Sequence, residues 1–177
     1  MSPAEYIQLK AFARQDGALL ALLWAAAFAL YIVGVSNQLL GLAAVMLMLY
    51  TPIFVGERLG KFRDSGREGL ISFRRGYAYT IFVFFYGGVL FAIAQYLYFA
   101  FIDNGFLLSQ FSRMVSTEEA RQMLHDYGMT QMVDEGLSEM ASIRPIDYAL
   151  NMLTVHIMLG FILGVPISLV MRKESKS

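Results

Sequence analysis

The sequence contains no cysteine, which excludes disulfides, thiolate metal sites and a cysteine nucleophile. Charge is scarce. Charged residues are 16% of the 177-residue chain and hydrophobic residues 57%, against about 25% and about 45–50% in an average globular domain. Lys+Arg and Asp+Glu balance at 14 each, so there is no basic excess to attract nucleic acid. No Ser-His-Asp set, zincin helix motif, D-x-D pair or phosphate-cradling glycine loop occurs. Gly56 and Gly60 near Lys61 lack the spacing and the following Ser/Thr of a Walker loop. These absences leave no basis for an independent enzyme, and no cofactor or metal is expected. A mean hydropathy of +0.53 argues against a soluble domain.

What is abundant is uninterrupted apolar sequence. Gly17 to Gly56 holds 40 residues without Asp, Glu, Lys or Arg. One membrane helix needs about 20, so this run reads as two spans, about 17–35 and 39–55, broken at Ser36-Asn37-Gln38. Further charge-free runs cover Gly76–Ile102 and Tyr148–Met171. The expectation is an all-α integral membrane four-helix bundle with spans at 17–35, 39–55, 76–102 and 148–171, forming a single membrane domain. Met1–Asp16 is not expected to be a signal peptide, because the apolar run after it is too long and continues into a second span. Ser2 can cap, Pro3 suits the first helical position and Glu5 completes a capping box. Tyr6, Leu9 and Phe12/Ala13 then share a face, which predicts a short N-terminal interfacial helix.

Positive charge is unevenly placed. Residues 1–16, 57–75 and the tail hold 11 of the 14 Lys/Arg, whereas 103–147 holds three Lys/Arg against eight acids. With four spans the first three segments share a side. The positive-inside rule makes that side the cytoplasm and places 103–147 outside, in a multi-pass inner-membrane protein with both termini cytoplasmic. The outer segment carries helical periodicity at Ala120, Met123, Leu124 and Tyr127, and again from Met129 to Met140. Two amphipathic helices are expected, the first opened at Ser116/Thr117 and closed by Gly128.

Polar groups at depth are few. His156 is the ionisable residue inside a span, with Gln95 the other strong polar group. An ionisable group there is a functional hypothesis by default, but no intramembrane carboxylate is seen to orient it. A neutral imidazole bonded to Gln95, a Tyr or a backbone carbonyl is the expectation. Met114, Met123, Met129, Met132 and Met140, near His125, have the softness for Cu(I). Their positions coincide with the apolar helical faces, which favours core filling. Gly160 and Gly164 permit close helix contact, within the bundle or in a homo-oligomer.

The cytoplasmic loop 57–75 is the richest segment. Arg58, Lys61, Arg63, Arg67, Arg74 and Arg75 lie beside the inner leaflet, where each gains about 1 kcal/mol from anionic lipid. Interspersed Phe62, Leu70, Ile71 and Phe73 suggest a surface that also packs. The expected lipid or partner docking set is Arg58, Lys61, Arg63, Arg67, Phe73, Arg74 and Arg75.

The stretch KFRDSGREGLISFRRGYAY at 61–79 leads into an aromatic third span, and YLYFAFIDNGFL at 96–107 leaves it. An acidic, Met-rich helical segment follows, and Pro145 precedes the last span and a basic tail. On these residues, above all Arg63-Asp64…Gly69-x-Ile71-Ser72-Phe73 and Tyr98…Phe101-Ile102-Asp103, the chain resembles the bacterial, Bacteroidetes-type four-helix membrane family called domain of unknown function 4199. Arg74-Arg75 departs from that pattern. The family carries no assigned activity. The resemblance implies a gene neighbourhood containing a family-2 glycosyltransferase acting on polyprenyl phosphate. The expected role is thus a non-catalytic membrane anchor or accessory subunit for a cytoplasmic enzyme, that glycosyltransferase in particular. The alternative is a small lipid or solute transporter. A closed bundle favours the anchor, and a polar cavity reaching His156 favours the transporter.

Overall fold

In a computed structural model that describes residues 2–173, the first helix opens on the cap its sequence encodes. The Glu5 N–H donates to the Ser2 hydroxyl at 3.2 Å, and the Ser2 N–H donates to the Glu5 carboxylate at 2.8 Å. Pro3 sits where its missing N–H is immaterial. Helix α1 then runs unbroken over Pro3–Gly34. The expected interfacial helix is therefore not separate but forms the first turns of α1, because no residue from Tyr6 to Asp16 breaks a helix. At 1.5 Å per residue α1 is about 48 Å long, more than a ~30 Å hydrocarbon core, so its charged N-terminal part projects beyond the apolar span.

The Ser36-Asn37 break falls where the sequence puts it. Asn37 caps α2 (Gln38–Leu49), its side-chain oxygen accepting from the Leu39 and Leu40 N–H groups at 3.1 and 3.4 Å. Tyr50 interrupts the helix for one residue just before Pro52, and α3 (Thr51–Gly66) carries on. α3 extends past the end of the apolar run, so much of the expected 57–75 loop is helix. Charge ends a membrane span but does not end a helix. The turn is confined to residues 67–72, where Glu68 and Gly69 take φ of 53° and 81°. α4 (Phe73–Phe101) and α8 (Pro145–Met171), with Pro166 inside it, complete the long elements. Four helical runs, Pro3–Gly34, Gln38–Gly66, Phe73–Phe101 and Pro145–Met171, are long and apolar enough to cross a membrane.

The chain divides into two compact units, one of the residues up to Ala94 with those from Leu150 on, the other Gln95–Ala149. The first unit's core gathers Leu9, Leu20, Trp24, Val55, Leu59, Phe62, Tyr79, Val83, Phe84 and Phe91. Gly160 lies against Phe84 and Gly164 against Tyr77, so the small residues of α8 serve internal packing. Facing outward are Leu39, Leu42, Met46 and Leu49 of α2 and Ile162, Leu169 and Val170 of α8. An apolar exterior of this extent is a liability in water and a fitting surface in lipid. Lys176, counted with the basic tail, lies outside the described residues.

The second unit holds three short helices rather than two: α5 (Phe106–Val115), α6 (Glu118–Asp126) and α7 (Thr130–Ser142). α5 is the addition. Gly105 at φ 77° turns the chain, and the Asp103 carboxylate accepts the Leu107 N–H at 3.3 Å. Thr117 caps α6 and Gly128 takes a positive φ after it, as the sequence indicates. The expected core-filling role is not realised at four of the five methionines, while Met140 is half-buried. Met114, Met123, Met129 and Met132 are 41–67% exposed, because helices of 9–13 residues have too little facing surface to cover their apolar sides. Among the described residues no group of three His, Cys, Asp or Glu could hold a metal ion.

Candidate functional site

One stripe of α1 is buried at Leu9, Ala13, Asp16, Leu20, Trp24 and Ala27, a three- and four-residue spacing that defines a core face. Asp16 stands on that stripe and is 2% exposed. Arg58 of α3 forms an ion pair with one carboxylate oxygen, and the Tyr79 hydroxyl of α4 donates to the other. Phe62 stacks on Tyr79, centroids 4.9 Å apart and planes within 5°, and Phe12 lies 5.1 Å from Phe62. His156 is therefore not the one ionisable group buried in the helices. Asp16 escapes notice in the sequence because it directly precedes the charge-free run. Its periodicity with Leu9, Ala13 and Leu20 is the signal that could have found it.

Nearer the start of α1 a second layer of polar bonds joins the same elements. Glu5 bridges two arginines, Arg67 Nη2 at 2.9 Å and Arg75 Nη2 at 2.8 Å. Gln8 Nε2 donates to the Gly66 carbonyl at 3.2 Å. Arg63 binds Asp64 at 2.7 Å and donates to the Met171 carbonyl at 3.1 Å. Ile71 and Lys173 exchange backbone hydrogen bonds of 2.8 and 3.0 Å. The starts of α1 and α4 and the ends of α3 and α8 are thus tied into one basic end of the first unit.

The residues expected to dock a partner or lipid therefore fall into different roles. Arg58, Arg63, Arg67 and Arg75 are engaged within the fold. Phe73 is half-buried and stacks on Tyr77 at 5.8 Å. Lys61 and Arg74 are exposed, and among the described residues neither forms a salt bridge. Leu70, in the 67–72 turn, is 41% exposed.

His156 is enclosed. Its Nδ1–H donates to the Met152 carbonyl at 2.6 Å, and its ring lies 4.1 Å from Trp24 and 5.3 Å from Phe91. Trp24 Nε1 in turn donates to Thr51 Oγ1 at 3.0 Å. Of the partners anticipated for this imidazole, the backbone carbonyl is the one present. Gln95, in the second unit, is 5% exposed, and its Oε1 has no donor among the described residues. Replacing His156 with Gln removes a ring contact and leaves a carbonyl that its own helix already serves. The expected loss is about 1–2 kcal/mol, measured as a small shift in the unfolding midpoint of Trp24 fluorescence. Failure of the variant to accumulate at all would show that the imidazole is indispensable to the fold.

Comparison with known proteins adds one relationship. A family model described as "Protein of unknown function (DUF4199)" matches residues 15–173, nearly the whole chain, and the chain belongs to that family. No curated protein and no solved structure matches it.

Proposed function

We propose that this member of the DUF4199 family is a multi-pass inner-membrane protein that anchors a cytoplasmic enzyme without catalysing a reaction itself. In this reading both termini and the 57–75 region face the cytoplasm and 103–147 lies outside, on the strength of the Lys/Arg asymmetry. A family-2 glycosyltransferase acting on polyprenyl phosphate is the partner the reading favours. The observation that carries the proposal is the basic end of the first unit. Its own arginines and the Ile71–Lys173 bridge fix the backbone there, while Lys61, Leu70 and Arg74 stay exposed. A fixed backbone that presents exposed cationic and apolar groups loses little entropy on docking. The enclosure of His156 between Trp24 and Phe91 weighs against the transporter alternative.

The test is co-purification in mild detergent. A Lys61→Glu, Leu70→Asp, Arg74→Glu variant changes only exposed groups and leaves the internal arginines in place. It should accumulate normally and lose the partner that the wild type retains. Recovery of the same partner at wild-type yield would remove this surface from consideration.

A further inference from the structure

Glu5 holds two guanidinium groups in a way that leaves both half used. Arg67 and Arg75 each pair with Glu5 through Nη2, at 2.9 and 2.8 Å. The Nε atom of each arginine is shielded from solvent and has no acceptor among the described residues. The Nε–H and Nη2–H of an arginine form one edge of its fork, suited to two oxygens of a single anion. A carboxylate has only two oxygens to divide between two such edges, and one of those of Glu5 also accepts the Ser2 N–H. A phosphate monoester has three terminal oxygens in a tetrahedron and a greater negative charge. In the same place it could accept all four N–H groups.

The setting suits such a group. Arg75 immediately precedes the charge-free run that begins at Gly76, so the two guanidinium groups stand at the border of the apolar span, where lipid phosphates lie. Ile7 at 65% and Leu70 at 41% exposure offer apolar surface on the segments that carry Glu5 and Arg67. Lys173 is brought to this end by its backbone bonds with Ile71, and Arg74 is exposed next to Arg75. Both add positive charge.

We infer that Arg67 and Arg75 form a binding site for a terminal phosphate group, and that Glu5 is an internal occupant which the phosphate displaces. This deepens the membrane placement proposed above but does not rest on any protein partner, and its test uses the purified chain alone. Equilibrium binding is measured in an uncharged detergent with dioctanoyl phosphatidic acid, and in parallel with sodium phosphate. Tight binding of the lipid with weak binding of sodium phosphate assigns the source as lipid. Equal binding assigns it as free phosphate. Either result supports the phosphate site if the variants respond as follows. Glu5→Gln removes the competing carboxylate and should tighten binding about tenfold. Arg67→Gln with Arg75→Gln should weaken it by about tenfold or more. The expected gain cannot come from misfolding, and unchanged or weaker binding by a Glu5→Gln protein whose Trp24 unfolding midpoint shows it to be folded overturns the inference. Unchanged binding by a folded double arginine variant overturns it equally.

Discussion

Asp16→Ala is expected to lower stability by about 3 kcal/mol, the lower end of the ~3–5 kcal/mol that follows removal of one partner from a buried ion pair. The lower end applies because the Arg58 side chain keeps 20% of its surface exposed, whereas that of Asp16 keeps 2%. The substitution leaves a largely buried guanidinium without its counter-charge and the Tyr79 hydroxyl without its acceptor. The chain's one tryptophan, Trp24, lies on the same helix face two turns away and reports unfolding in a denaturant titration. Removing the whole polar set is a different experiment. Asp16→Leu, Arg58→Met and Tyr79→Phe together should recover most of the loss, since no uncompensated charge remains and the desolvation cost of the pair disappears. An Asp16→Ala protein within about 0.5 kcal/mol of wild type would mean that water screens the pair as at a surface.

The second large effect lies at the other end of α1. A Cβ on Gly34 would stand 2.4 Å from the Gly41 backbone nitrogen and 2.6 Å from its Cα. No side chain can swing away, so α1 and α2 must separate. A Cβ on Gly41 would meet nothing closer than 3.4 Å. Gly34→Ala should therefore destabilise by about 1–3 kcal/mol, the range for forced overpacking. Gly41→Ala should be neutral or stabilise by up to about 1 kcal/mol, from the helix preference of Ala over Gly. The two variants differ only in which helix carries the methyl group, so the sign of the difference reads the packing directly. Equal melting midpoints would mean that the α1–α2 turn relaxes without cost.

The spans are legible in the sequence because membrane solvation imposes a one-dimensional rule: charge is excluded for about 20 residues at a time. Asn37 marks the first turn by local capping chemistry alone. The same rule misleads about helix ends. Glu57, Arg58 and Lys61 end an apolar run, yet α3 continues through them to Gly66, since charged residues are good helix formers. Lys10 and Arg14 likewise do not separate an interfacial helix from α1. The methionines of 114–132 show helical periodicity but are exposed, because periodicity reports a face and not what covers it. At the basic end, Arg67 and Arg75 are visible as charges. Their convergence on Glu5, which lies at the opposite end of α1 from the Asn37 turn, is a tertiary fact with no local signature. The pairing of Asp16 with Arg58 is another, though the heptad-like spacing of Asp16 with Leu9, Ala13 and Leu20 does mark it as inward-facing.

The Asp16–Arg58 pair also sets a clock on biosynthesis. Its members are 42 residues apart, and a ribosome adding about 5–20 residues per second takes about 2–8 s to make the second after the first. During that interval the carboxylate has emerged at the head of an apolar helix with no counter-ion. It must wait at the aqueous border until the returning segment delivers the guanidinium. Once both helices are made, the ion pair latches α1 to α3 and so holds the first two spans as a hairpin.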